Sequence, residues 1–381
     1  MIFLDSAATM PIRREVLEAM RPFLTAEFGN PSSHHALGEQ AAKALADARG
    51  RIAGVLGCRA SEITFTSGGT EADNLAIKGI SLASPRGRHI VTSAIEHEAV
   101  LESCDYMRRH HGFEITRLAV DGHGLVDPEA FERALRADTT LASIMFANNE
   151  VGTVQPVAEL ARIATAHRVP FHTDAVQAAG TFDLNVQRLP VKALSISGHK
   201  VGAPKGVGLL FVRSPVPVEP LLHGGGQERG RRSGTENVAS VVGLAIAMEL
   251  TVRSLEQRAT GLTRLRDELI RAVLVSIPQA VLTGHPTQRL PGHASFCFPG
   301  TSGEAVLLQM QERGVLCSSG SACAAGSSDP SPVLLAMGIA PAVAQTAVRF
   351  TLSESTSEED IASAADSLRK SVAAVLTLSS R

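Results

Sequence analysis

Short apolar runs alternate along this chain with longer stretches of helical period. The runs Ile63–Thr66, His89–Ser93, Glu114–Leu118, Leu141–Phe146, Val169–Thr173, Ala193–Ser197 and Val207–Val212 have the length and composition of strands. Leu141-Ala142-Ser143-Ile144-Met145-Phe146 is apolar on both faces, as a strand buried inside a parallel sheet should be. Between such runs, Leu37, Ala41, Ala44, Ala48, Ile52 and Val55 form a stripe at three-to-four spacing, which predicts an amphipathic helix. Strands separated by helices imply crossover connections. The expected class is therefore α/β, with a mostly parallel sheet covered by helices on both faces.

The pattern changes near residue 252. Val238 to Met248 reads as a buried helix, and Arg253 to Ile277 as a long charged amphipathic one that connects two domains. The last helix is announced by Ser357-x-x-Asp360, a capping-box-like start, with Ile361, Ala364, Leu368, Val372 and Val375 on one face. Ser318 to Pro332, rich in Ser, Gly, Ala and Pro, reads as a loop. These boundaries predict a large domain over residues 15–252. Residues 1–14 join 253–381 in a smaller α+β domain.

Composition narrows the function classes. A net charge of -2 in 381 residues gives no general attraction to nucleic acid or anionic membrane. Trp is absent and Tyr106 is the single tyrosine, so no stacking platform for single strands is expected. The N-terminus lacks a basic region followed by an apolar one, and no apolar stretch is long enough to span a bilayer. The five cysteines, Cys58, Cys104, Cys297, Cys317 and Cys323, form no C-x-x-C pair, so no metal site is expected. An odd number of thiols without a leader points to a reducing compartment, and the expected location is the cytoplasm.

Several segments carry candidate chemistry. Ser195-Ile196-Ser197-Gly198-His199-Lys200 places a lysine just past an apolar strand among small and hydroxylic neighbours. Desolvation or a nearby cation there lowers an amine's pKa and frees its lone pair for a Schiff base. The ordinary alternative is a surface lysine in a turn. Thr66-Ser67-Gly68-Gly69-Thr70-Glu71 is a strand running through a glycine turn into a helix, a place where backbone N–H groups bind phosphate. Asp174 lies just past the strand Val169–Thr173, at the end that faces the ligand crevice in an α/β sheet. It can pair with a pyridinium nitrogen or simply cap the next helix. Gln177 follows it. Glu96-His97-Glu98 follows the strand His89–Ser93, and His97 could stack on a planar group and move protons. Cys323 sits in the polar run Ser319 to Gly326, unlike a packing cysteine, and a thiol so placed can serve as a nucleophile.

In order along nearly the whole chain, these segments resemble the cysteine desulfurases of the NifS/IscS type, within the class-V aminotransferase group of pyridoxal-phosphate enzymes. The resemblance runs through Phe3-Leu4-Asp5-Ser6-Ala7-Ala8-Thr9, Asn30-Pro31-Ser32-Ser33, Ser67-Gly68-Gly69-Thr70-Glu71 and Asn148-Asn149-Glu150-Val151-Gly152. It continues through His172 to Gln177, Arg232-Ser233-Gly234-Thr235, Gly320-Ser321-Ala322-Cys323 and Val348-Arg349-Phe350. It implies fold type I and a cofactor, pyridoxal 5'-phosphate. Lys200 would form the Schiff base and move the Cα proton, His97 would stack on the ring, Asp174 would pair with the ring nitrogen and Gln177 with the phenolic oxygen. Gly69, Thr70, Ser197 and His199 would hold the phosphate. Asn149 would lie near the ring, and Thr235 would reach the phosphate of a neighbouring subunit, which implies a homodimer. Asn30 and Arg349 would bind the substrate L-cysteine, with Arg349 on its carboxylate. Cys323 would take the sulfur as a persulfide and pass it to an acceptor protein for iron–sulfur cluster assembly or thio-modification. Selenocysteine lyases and other class-V aminotransferase-like enzymes are the nearest alternatives. Ala203, Ser353-Glu354 and Ser6 depart from the common family pattern without removing a catalytic group.

Overall fold

Twelve strands form three sheets in a computed structural model that describes residues 1–83, 86–320 and 329–379. In chain order the strands are β1 Ile2–Phe3, β2 Ile63–Thr66, β3 His89–Ser93, β4 Glu114–Leu118, β5 Thr139–Ser143 and β6 Phe171–Asp174. They continue as β7 Ala193–Ser197, β8 Gly208–Val212, β9 Val281–Leu282, β10 His293–Cys297, β11 Val315–Leu316 and β12 Ala347–Thr351. The large sheet has the order β2-β8-β7-β6-β5-β3-β4. Only β8 runs against its neighbours; the other contacts are parallel. Every residue of β2, β3, β5, β6, β7 and β8 is buried, as in a parallel sheet covered on both faces. Because β2 lies two strands from β7 across the antiparallel β8, the carboxyl ends of β2, β3, β5, β6 and β7 share one edge of the sheet.

The expected strand Leu141–Phe146 begins two residues earlier and ends at Ser143. The amides of Ile144 and Phe146 still donate to the His172 and Asp174 carbonyls. Between them the Met145 amide turns to the Glu96 carboxyl, 3.0 Å away, and the ladder stops. The expected stripe on the helix Ala36–Leu56 is real, with its buried centre along Ala41, Leu45, Ala48, Ile52 and Leu56. That helix and Arg14–Thr25 pack against Val238–Arg253. Gly243 permits the close crossing, because a Cβ there would meet Met20 Sδ at 2.8 Å.

The long charged helix runs from Leu255 to Ser276 and meets the preceding helix at a 72° bend. It packs against the last helix, Glu358–Ser379. A second core gathers Leu4, Leu269, Phe296, Phe298, Phe350 and Leu368. The antiparallel sheet β12-β10-β9 and the parallel pair β1–β11 border it. The capping box forms as expected: the Ser357 amide donates to Asp360 at 2.9 Å, and the Asp360 amide to Ser357 Oγ at 3.1 Å. Pro332, expected in a loop, instead opens the short helix Pro332–Ala336, where a missing N–H costs nothing. No single helix among the described residues is long and apolar enough to cross a membrane.

Candidate active site

The shared carboxyl edge of the large sheet opens onto a cavity of about 440 Å³. Its wall includes Gly69 and Thr70 after β2, His97 after β3, Asn149 after β5, Asp174 and Gln177 from β6 onward, and Ser197, His199 and Lys200 from β7 onward. Arg349 enters from β12, and Gly320 and the Ala7-Ala8 backbone complete it. Ten of the sequence-predicted residues thus meet in one place, from six separate stretches of chain.

The glycine turn lets the helix approach the strands. A Cβ on Gly69 would stand 2.8 Å from Val176 Cγ2 and 3.4 Å from Ser197 Cβ. The helical run from Gly69 continues to Ala83 and contains a π-turn over Leu75–Gly79. Its first amides have no intrahelical carbonyl, and Gly69 and Thr70 line the cavity together with Ser197 and His199. Hydroxyls, an imidazole and free amides at a helix start are a donor set for a phosphate.

Asp174 lies beneath the cavity. One of its carboxyl oxygens accepts the Val176 amide at 2.9 Å. Burial pushes its pKa up, opposed by the nearby His97 and Lys200. A carboxyl so placed gains from a cationic ring N–H. His97 caps the helix Glu98–His111, with Nδ1 accepting the Ala99 amide at 3.1 Å. That bond commits Nδ1 as an acceptor and leaves Nε2 to carry the proton in the neutral ring. Lys200 Nζ donates to the carbonyls of Ala7 and of Ala8, the latter at 2.8 Å. Gln177 Nε2 also donates to Ala7 O, at 3.2 Å. His199 Nδ1 is 3.2 Å from Thr9 Oγ1, and burial beside two lysines lowers its pKa to about 4. A neutral His199 can therefore accept or donate a hydrogen bond without adding charge.

Arg349 is 2% exposed. Nη1 donates to Asn149 O at 2.9 Å and Gly320 O at 3.2 Å, while Nη2 donates to Asp5 Oδ1 at 2.6 Å. Nε is buried without a partner. Nη2 keeps a second N–H beside the one given to Asp5, and Arg349 lines the cavity. A guanidinium so placed attracts a carboxylate.

Two predicted residues lie elsewhere. Asn30 is exposed, outside the cavity wall, and its side chain accepts the Ser32 amide at 2.9 Å. Thr235 is exposed and also outside the cavity. Cys323 lies outside the described residues, three positions beyond Gly320. The other four cysteines have thiols pushed up by burial, to about 11 for Cys297 and about 12 for Cys58, Cys104 and Cys317. None of these four is a ready thiolate.

Sequence reasoning missed a cluster of buried acids under the floor. Asp73, on the helix after Gly69, lines the cavity at 2% exposure, and its Oδ1 has no hydrogen-bond partner. Burial first, then the charge of Asp174, raises its pKa well above the carboxylate range. Glu96 accepts Ser93 Oγ at 2.5 Å and the Met145 amide at 3.0 Å, and burial lifts it to about 8. His172, between Ser143 Oγ at 2.8 Å and Ser195 Oγ at 2.9 Å, is pushed down to about 3 by burial. Asp174 is thus the acid of this group that retains charge most readily, because Val176, His97 and Lys200 favour its anion. Asp73 lies two residues past Glu71, and nothing in the linear pattern told that it is buried beside Asp174.

A mostly parallel sheet with a lysine, an aspartate and a glycine-turn helix at its carboxyl edge is the architecture of the fold type I pyridoxal-phosphate enzymes. Residues 2–363 match the family model described as aminotransferase class-V, and the chain belongs to that family. It is similar to the cysteine desulfurase IscS of Dictyoglomus turgidum, with 47% identity covering 99% of this chain and 96% of the relative. Cysteine desulfurase NifS of Azotobacter vinelandii is 44% identical, covering 94% and 90%. Among solved structures, a NifS-like protein aligns with a TM-score of 0.90 at 37% identity, covering 97% of this chain and 98% of that one. A structure described as SspA in complex with cysteine aligns at 0.82 with 36% identity, covering 92% and 99%.

Proposed function

We infer that this protein is a cysteine desulfurase that converts L-cysteine to L-alanine and hands the sulfur to an acceptor protein. The observation that carries the reading is the single cavity in which Lys200, Asp174, the Gly69 helix start and Arg349 converge. The residues present fit pyridoxal 5'-phosphate. Asp174 suits a ring N–H, Gln177 a phenolic oxygen, and Gly69, Thr70, Ser197 and His199 a phosphate. When bound, that group supplies a carbonyl for Schiff-base formation and an electron sink for charge at Cα.

The chain's own residues then have distinct tasks. Arg349 holds the substrate carboxylate, which fixes the amino acid's orientation. Lys200 would take the Cα proton as a free amine. Its Ala7 and Ala8 carbonyl partners keep Nζ at the cavity wall. His97 presents Nε2 for stacking and proton transfer. The Cys323 thiolate attacks the substrate sulfur, so that an S–S bond forms and the Cβ–S bond breaks with its electron pair left on carbon. A proton delivered to that carbon completes alanine, and the enzyme keeps a persulfide. Cys323 is assigned by resemblance and by the passive state of the other four thiols. Thr235, on the exposed surface, is assigned to the cofactor phosphate of a second copy in a homodimer. The acceptor serves iron–sulfur cluster assembly or thio-modification, and the free thiols support a cytoplasmic location.

The test uses purified protein, L-cysteine and a reductant. Wild type should be yellow and release alanine and sulfide in equal amounts. Lys200→Ala should lose the visible band of the Schiff base. Cys323→Ala should keep the band and lose sulfide release by at least about 100-fold, the scale expected when a nucleophile is removed. A yellow protein that makes no alanine from cysteine would overturn the substrate assignment.

A further inference from the structure

Arg349 carries a counter-ion within the chain itself. Asp5, just past β1, accepts its Nη2–H at 2.6 Å, and the Asp5 backbone pairs with Thr351 two residues further along β12. The other acid facing Arg349 is Glu150, which is half-buried. Its Oε2 accepts Ser331 Oγ at 2.5 Å, and burial raises its pKa. Asp5 is therefore the acid that neutralises Arg349 when the cavity holds no carboxylate.

The orientation of Arg349 does not need Asp5. Two backbone carbonyls already fix Nη1, and the side chain is packed on all sides. What Asp5 adds is charge. A substrate carboxylate at Arg349 shares one guanidinium with an existing anion, and the two anions repel across a poorly solvated site. Resting on the desulfurase reading, we propose that Asp5 sets substrate and product affinity by competing with the amino-acid carboxylate for the charge of Arg349. An unopposed buried guanidinium would hold the product amino acid as firmly as the substrate. Asp5 weakens both, and so favours release.

The experiment compares wild-type holoenzyme with Asp5→Asn, which retains an acceptor oxygen and removes the charge. KM for L-cysteine and the inhibition constant of L-alanine should each fall about tenfold, with kcat not increased. Inhibition by cysteamine, which lacks a carboxylate, should stay within twofold. A KM or alanine constant that rises or stays put in Asp5→Asn overturns the proposal, as does an equal shift for cysteamine. Asp5→Ser carries the same expectations should the Asn variant fail to fold. If wild type makes no alanine, the desulfurase reading fails. L-alanine binding, followed by the visible spectrum, then still decides the role of Asp5.

Discussion

Glu96 shows how burial at one residue becomes a property of the whole protein. Its carboxyl stays protonated in the fold to about pH 8, whereas an exposed glutamate ionises near pH 4.5. Between those values the folded state binds the extra proton, so the Glu96 contribution to stability is complete below pH 4.5 and is lost as pH rises through 8. Glu96→Gln keeps the shape of the neutral acid. Its melting temperature should exceed that of wild type by a few degrees at pH 8, a gap that closes toward pH 5. An equal gap at both pH values would show that Glu96 is ionised in the fold. His172 acts at the other end of the scale. Its pKa lies near 3 in the fold, so the stability it lends is present above pH 6.5 and is lost as pH falls toward 3. The motif around Glu96 and His97 was legible in sequence as an element-end cluster. The neutral state of Glu96 was not, because it comes from burial in the assembled fold and the charge of Asp174 from another strand, against the lowering effect of the Ser93 hydroxyl and the Met145 amide.

At the level of elements, an irregular stretch around Glu228 is tied to the sheet rather than built into it. Glu228 and Arg229 both have left-handed backbone, with φ of 51° and 58°, an unfavourable conformation for side chains of this kind. Glu228 is held by Arg49 at 2.5 and 2.8 Å and by the Phe65 amide at 2.9 Å, while Arg49 also donates to Ile63 O at 3.0 Å. The pair joins the helix Ala36–Leu56, strand β2 and the segment that leads to Arg232. Arg232 in turn pairs with Glu71 at the start of the Gly69 helix, at 2.8 Å. Glu228→Gln leaves a buried guanidinium uncompensated and should cost about 3–5 kcal/mol in denaturant unfolding. A loss under about 1 kcal/mol would show that the pair is not holding the segment. The apolar stripe around it was readable from spacing alone. The pair itself joins residues 179 apart in sequence, a separation no local pattern encodes.

Across the whole molecule, Glu354 ties three parts of the chain together. It accepts Arg13 at 2.7 Å and Arg258 at 2.8 Å, and Arg258 also donates to the carbonyls of Gly180 and Thr251. Both arginines hold its carboxyl below the usual range against the opposing effect of burial. The departure from family pattern at Ser353-Glu354 is thereby explained: the acid bridges the segment before the helix Arg14–Thr25 to the helix Leu255–Ser276. Glu354→Gln should lower the melting temperature by a few degrees at pH 7, with the difference from wild type shrinking as pH falls below the carboxylate range. A difference that persists unchanged at acid pH would assign the effect to packing.

The sequence by itself determined the α/β class, the seven strands of the large sheet to within two or three residues at their ends, the capped last helix and the family. It also determined which lysine, aspartate, histidine and arginine to gather, because those signals are local: periodicity, turn residues and ordered motifs. Only the tertiary structure decided that Ala7 and Ala8 hold Lys200, that Asp5 pairs with Arg349, that Asp73 shares the floor with Asp174, and that Asn30 stays outside. These facts arise where distant segments meet at the carboxyl edge of the sheet. Burial and charge there are properties of the assembled neighbourhood, so the same residue types read as ordinary core or loop until the chain has folded around them.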